Sequence, residues 1–415
     1  MTPLRRRGEY RGMRRLMIVF SCMILAGSAA AQRQRSVRPG GGNGNAVNNV
    51  AAGQPLAGLN GEQREAFDDG LEDFTEIETI DEGLGPVFNE RSCAACHNVP
   101  AAGGGSRRLV TRFARRAGNV FDPLVNLGGS LIQDHAIGPP DGSPHPFRPE
   151  RVPQQANLVV RRRSTPLFGL GLVDATPDAT FVAMAQAQLA SGGGTAGRVN
   201  LVDNIRAGMQ TVGKFGWKSQ VPSLQQFSGD AYVNELGITS ADFPDESCPQ
   251  GNCAELAFNP APGINDDGSG VAALAAFMSM LAPPPRGAQS REVTDGEAVF
   301  QQLGCAACHV ATLQTGSSPI RALDRTTYHP YSDFLLHDMG ALGDGLEMGN
   351  AAGNEMRTAP LWGLRFVTTY LHDGRATTLD QAILAHDGQA RGARNGFAAL
   401  ATDAKEKLMA FLRSL

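Results

Sequence analysis

Four cysteines and two histidines sit in two identical pentapeptides, Cys93-Ala94-Ala95-Cys96-His97 and Cys305-Ala306-Ala307-Cys308-His309. Two thiols on one helical turn with a histidine directly after them form the attachment signature of c-type haem. The thiols add to the haem vinyl groups, and the imidazole becomes the proximal iron ligand, whose identity tunes potential and reactivity. A thioredoxin-like redox pair would not need the histidines, and no βαβ pattern surrounds either motif. Zinc would use the cysteines of both motifs together and leave the paired histidines incidental. The sequence therefore predicts two covalent haems, with His97 and His309 on the irons.

The elements that must carry these motifs repeat as well. Gly70 and Phe74 precede the first motif, and Gly296 and Phe300 the second, at the same helical spacing. Thr165-Pro166-Leu167-Phe168-Gly169-Leu170 is echoed by Ala359-Pro360-Leu361-Trp362-Gly363-Leu364. Each half closes on an apolar stripe, Val271, Leu274, Phe277 and Leu281 in one, Leu408, Phe411, Leu412 and Leu415 in the other. Such i, i+3/i+4 patterns predict core-facing helices. Pro283-Pro284-Pro285 cannot continue a helix and marks the boundary. The expected fold is mainly α, with long loops and little β: two cytochrome c-like haem domains at 55–285 and 286–415.

The first 31 residues read as a signal peptide, with a basic Arg5–Arg15 region, an apolar Leu16–Ala26 stretch and a small-residue site before Gln32. The apolar stretch is too short to span a bilayer, so the expectation is an exported, periplasmic protein without a transmembrane span. Residues 32–54, rich in Gly, Asn and Gln, read as a flexible leader. Removing residues 1–31 takes six arginines and one glutamate from 37 basic and 41 acidic residues, leaving a net charge of −9. An acidic surface argues against a nucleic-acid partner. In an oxidising compartment Cys248 and Cys253, five residues apart, predict a disulfide.

These motifs, with Gly83-Leu84-Gly85-Pro86, Phe88-Asn89, Phe215-Gly216-Trp217-Lys218, Tyr331-Ser332-Asp333, His337-Asp338-Met339-Gly340 and His372-Asp373-Gly374, resemble the bacterial dihaem cytochrome c peroxidases. The likeness covers residues 60–415 and is strongest to the dihaem oxidoreductases, also labelled thiol oxidoreductases. The dihaem enzyme that matures methylamine dehydrogenase and the dihaem rubber oxygenases are more distant. The resemblance implies that one haem, the C-terminal one, stores or accepts electrons while the other meets peroxide, with a tryptophan between them. Trp217 takes that place here.

In these peroxidases the second axial ligand of the C-terminal haem follows the His-Asp-Gly histidine by fourteen residues. It is methionine there, or tyrosine in the maturation enzyme; here the count from His372 reaches His386, implying bis-histidine ligation with His309. A glutamine and a glutamate follow the bridging tryptophan by about ten and twenty residues in the family. Gln226 and Glu235, nine and eighteen after Trp217, are the counterparts. Glutamine can orient peroxide, and glutamate can move its proton to assist O–O cleavage. The first iron is expected to be open, with His135 and His145 as alternative resting ligands. Arg107, Arg108, Arg112, Arg115 and Arg116 offer cations to haem propionates or an acidic partner, or simply form a solvated basic face.

Calcium is a further candidate at Gly263–Gly268, although that segment offers only a few of the oxygens calcium wants and reads more simply as a turn. Three functions stand: peroxide reduction or peroxide-driven oxidation, fed by a cytochrome or cupredoxin; electron transfer alone; or oxygenase or maturation chemistry on an organic or protein substrate. Two intact motifs predict two haems per chain that resist acid–acetone extraction. A pyridine haemochrome assay should count two, falling to one in Cys93→Ala or Cys305→Ala; one haem in the wild type would contradict the reading.

Overall fold

A computed structural model describes residues 52–415, all belonging to one compact unit. The expected signal peptide and most of the expected leader lie outside the described residues. No helix among the described residues is long and apolar enough to cross a membrane.

The helices that matter for the site are α1 (Gly61–Thr75), α2 (Leu224–Ala231), α3 (Ser269–Met280), α4 (Arg291–Gln302), α5 (Leu379–Leu384) and α6 (Thr402–Arg413). Their starts are written in the sequence. Asn60 and Gln63 cap α1 reciprocally, side chain to backbone, at 2.8 and 3.0 Å. Ser290 accepts from Val293 at the start of α4, and Thr378 from Gln381 at the start of α5. The start of α3 is held by Asp266, whose carboxylate accepts from Gly268, Gly270 and Val271. Asp266 is fully buried in that role. The segment considered for calcium thus works as a helix-capping turn.

Two helix pairs form the frame, and they are built alike. Helix α1 packs on α3, and α4 on α6. Phe74 meets Phe277 at 4.8 Å between ring centroids, and Phe300 meets Phe411 at 5.2 Å. In each pair the glycine lets backbones touch. A Cβ on Gly70 would lie 2.2 Å from the Ala273 carbonyl oxygen, and one on Gly296 only 1.9 Å from that of Lys407.

The sheets are small. Strands β1 (Leu109–Ala117), β2 (Val120–Asp122) and β3 (Leu158–Arg163) form an antiparallel sheet in the order β2-β1-β3, and β4 (Asn200–Asn204) pairs with β5 (Met209–Gly213) as a hairpin. The fold is mostly helical with little sheet, as the sequence suggests. The largest apolar cluster runs from Leu56 to Leu335, and a second gathers Val293 to Leu415 around α4 and α6. The larger cluster therefore draws side chains from both sides of Pro283-Pro284-Pro285. Cys248 and Cys253 are bonded, while the four motif cysteines form no disulfide.

The helix crossing generates a test in which two effects oppose each other. Gly296→Ala gains up to about 1 kcal/mol in helix propensity, yet its methyl has no room against a backbone carbonyl. Overpacking typically costs about 1–3 kcal/mol, so denaturant unfolding of the holoprotein should show net destabilisation. A neutral or stabilised variant would mean the helices separate at no cost.

Candidate haem and peroxide site

The first motif is held by α1 and its own loop. His97 lies 6.3 Å from the Phe74 ring, and its Nδ1 donates to the Gly104 carbonyl at 3.0 Å. That bond puts the proton on Nδ1, the arrangement that a histidine able to ligate a metal through Nε2 usually has. Burial pushes the imidazole down to about 4, so it is neutral at pH 7. Burial also pushes the Cys93 and Cys96 thiols up to about 12.

Glu235 stands beside this motif because two loops meet glycine to glycine. A Cβ on Gly85 would fall 2.5 Å from the Gly237 carbonyl oxygen. Across the contact Gly85 N donates to Leu236 O, and Asn89 N to Glu235 O at 2.7 Å. The residues Tyr232–Leu236 form a wide π-helical turn that continues α2. Asn89 Nδ2 donates to Glu235 Oε2 at 2.7 Å, and Asp134 N donates to Asn89 Oδ1 at 3.2 Å, which sets the amide the right way round. Desolvation raises the Glu235 pKa above the ordinary carboxylate value, even against the Asn89 bond and nearby Arg112. Its charge is in turn felt at Cys96.

The structure does not bring Gln226 to Glu235. Its Oε1 accepts from Ile205 N and its Nε2 donates to Asp203 O, so both amide ends are committed to the β4–β5 hairpin. Gln226, Asp230 and Asn234, spaced four apart, line a cavity of about 880 Å³ with Arg112, Gln133 and Glu150. His135 pairs with Asp134 and stacks on Phe88, while His145 is bonded to Glu255 and stacks on Phe258. The arginines after the first motif are largely taken by acidic partners: Arg108 with Glu90 and Asp134, Arg115 with Asp122, Arg116 with Glu347.

The second motif opens on a cavity of about 700 Å³, lined mainly by carbon and by Cys305, Cys308, His309 and His386. His309 lies 6.1 Å from Phe300, repeating the His97–Phe74 arrangement, and its Nδ1 donates to Tyr331 O at 2.9 Å. His386 is placed by α5, with Nδ1 donating to Ala382 O at 2.7 Å. Desolvation lowers both imidazoles, His309 to about 4, and the Nδ1 bonds of these two leave their Nε2 atoms able to take a ligand. An apolar cleft with thiols and two neutral imidazoles in its wall fits haem. His337 in the same wall is different. Burial disfavours its charged form, yet its bond to Asp333 at 3.0 Å pushes it up to about 10, and Gln389 Oε1 accepts at Nδ1.

Trp217 also lines this cavity, together with Val99 and Pro100 from the loop after the first motif. Its indole Nε1 donates to Arg163 O at 2.8 Å, and the ring meets His372 edge-on at 6.2 Å. The next residue anchors the turn. Lys218 is fully buried, donates to the carbonyls of Ala352, Gly353 and Glu355, and faces Asp344 at 3.4 Å. Nothing in its sequence neighbourhood marks Lys218 as buried; an internal lysine shows itself only once the surrounding carbonyls are in place.

No curated protein matches this chain. Among solved structures, hydrazine synthase of Kuenenia stuttgartiensis is 14% identical, with a TM-score of 0.39 over 92% of this chain and 100% of that one. A MauG-like protein associated with microbial copper homeostasis is 13% identical, with a TM-score of 0.40 over 90% and 95%. The diheme peroxidase BthA of Burkholderia thailandensis is 17% identical, with a TM-score of 0.29 over 48% and 65%. The family model described as "Di-haem oxidoreductase, putative peroxidase" matches residues 149–415, more than half of the chain, including the second motif, Trp217, Glu235 and His386. With haem implied as its cofactor, the chain belongs to the di-haem oxidoreductase family.

Proposed function

We propose that the protein is a periplasmic dihaem c-type enzyme that reduces hydrogen peroxide, or uses it to oxidise a substrate, with electrons passed between two haem domains. The single observation that carries this reading is the Glu235 carboxyl, fixed by Asn89 beside the first attachment motif with its pKa raised. An electron-transfer cytochrome has no use for a desolvated acid at that position.

When bound, haem supplies the redox chemistry of peroxide reduction. The chain's own residues do the rest. Cys93 and Cys96 would hold the first haem and Cys305 and Cys308 the second, with His97 and His309 the residues that would ligate the irons through Nε2. His386 would complete the second site from α5, and Glu235 would stand beside the first. Asn89 holds Glu235 Oε2, and Oε1 receives the proton that leaves one peroxide oxygen and returns it to the other. Trp217, tied to Arg163 and packed on His372, lines the second cavity, as do Val99 and Pro100 of the first-motif loop, and there it can carry charge. A small cytochrome or cupredoxin is the electron donor we expect. Gln226 has no part in this scheme, since its amide serves the hairpin.

His386→Ala should convert a low-spin ferric haem into a high-spin or water-bound one in electron paramagnetic resonance. An unaltered low-spin signal would return His386 to a packing role.

Glu235→Gln should slow peroxide cleavage in stopped-flow by about 10²–10⁴-fold and leave both haem spectra nearly intact. The sign of its pH dependence follows from the raised pKa. The proton-accepting carboxylate is lost at a higher pH than for an exposed glutamate, so the wild-type rate should fall as pH drops through that value. The variant should lack this limb. A wild type whose open haem gives no spectral response to peroxide would favour electron transfer alone.

A further inference from the structure

The second cavity is lined by Arg163, Arg357 and Arg394 and, among the described residues, by no aspartate or glutamate. That is unexpected in a chain with more acidic than basic residues. Arg394 is paired with Asp387 at 3.2 Å. The other two are different. Arg357 is 6% exposed and donates from Nε to Gly216 O at 2.6 Å, but its Nη1 has no partner. Arg163 donates from Nη1 to Thr369 O, and its Nε has no partner. Desolvation lowers both guanidinium groups, Arg357 to about 10. Asp333, itself paired with His337, is the acid felt at Arg357, and Arg357 Nη1 and Arg163 Nε still lack acceptors. Buried donors left in that way are unfavourable, so this wall suits an anion that enters the cavity.

We propose that the side chains of Arg163 and Arg357 bind the propionates of the second haem, while their backbones position Trp217 at that haem's edge. This rests on the dihaem reading above. A haem carries its two carboxylates on one edge, and planar guanidinium groups match carboxylates in geometry and charge. The link to Trp217 is direct. Its indole donates to the Arg163 carbonyl at 2.8 Å, and the Arg357 amide donates to the Trp217 carbonyl at 2.9 Å. Arg163 N in turn donates to His372 O at 2.7 Å. The tryptophan is thus hung between the two arginines by backbone bonds at both. Removing either cation leaves a propionate charge uncompensated, which favours the ferric over the ferrous state.

The test uses the holoprotein and variants Arg163→Gln, Arg357→Gln, Arg163→Lys and Arg357→Lys. In spectroelectrochemical titration the glutamine variants should shift the second-haem midpoint to lower potential, and lysine should restore much of the loss. Resonance Raman should show a displaced propionate-bending band in all four, because lysine keeps the charge but not the forked geometry. If the glutamine variants fail to assemble, the Raman band of the lysine variants still decides the matter. Two haems with unmoved midpoints and an unmoved band would overturn this assignment alone. A wild type with one covalent haem would overturn the dihaem reading and this assignment together.

Discussion

The backbones of α1 and α3 approach so closely that a methyl group on Gly70 would meet the Ala273 carbonyl, and α4 meets α6 the same way at Gly296. Everything at the two motifs depends on that spacing. With the helices in contact, Phe74 and Phe300 are pinned against Phe277 and Phe411, and each phenylalanine then stands about 6 Å from its motif histidine. A wider crossing would release the aromatic rings and, with them, the wall against which His97 and His309 are oriented.

One scaffold used twice gives two unlike surroundings because the loops differ. At the first motif, the Gly85–Gly237 contact swings a glutamate beside the thiols, and a desolvated carboxyl favours proton transfer. At the second, α5 contributes a neutral imidazole and the wall contributes arginines. Trp217 belongs to the second wall, but Val99 and Pro100 in that same wall come from the first-motif loop. The tryptophan is therefore positioned by contacts that reach both halves of the chain.

The attachment motifs and the paired glycines and phenylalanines were legible in the sequence because their spacing is local. Glu235 and His386 are reached only by counting along a family pattern, and such a count says nothing of orientation. Gln226 shows the difference. Spacing places it with Asp230 and Asn234 in the lining of the 880 Å³ cavity, with its amide tied to the hairpin, whereas Glu235 is bonded to Asn89. The arginines illustrate the opposite failure. The run from Arg107 to Arg116 looks functional yet is largely engaged by Glu90, Asp134, Asp122 and Glu347, while Arg163 and Arg357 become distinctive only through buried guanidinium nitrogens that lack an acceptor.

The central claim is that the duplicated frame holds one open haem beside Glu235 and one bis-histidine haem between His309 and His386. Near-infrared magnetic circular dichroism of the oxidised wild-type holoprotein tests it most directly, since charge-transfer bands report axial ligands haem by haem. The account predicts one high-spin band and one band of bis-histidine ligation, in equal amounts. Two low-spin bands, or a histidine–methionine band in place of the bis-histidine one, would contradict it.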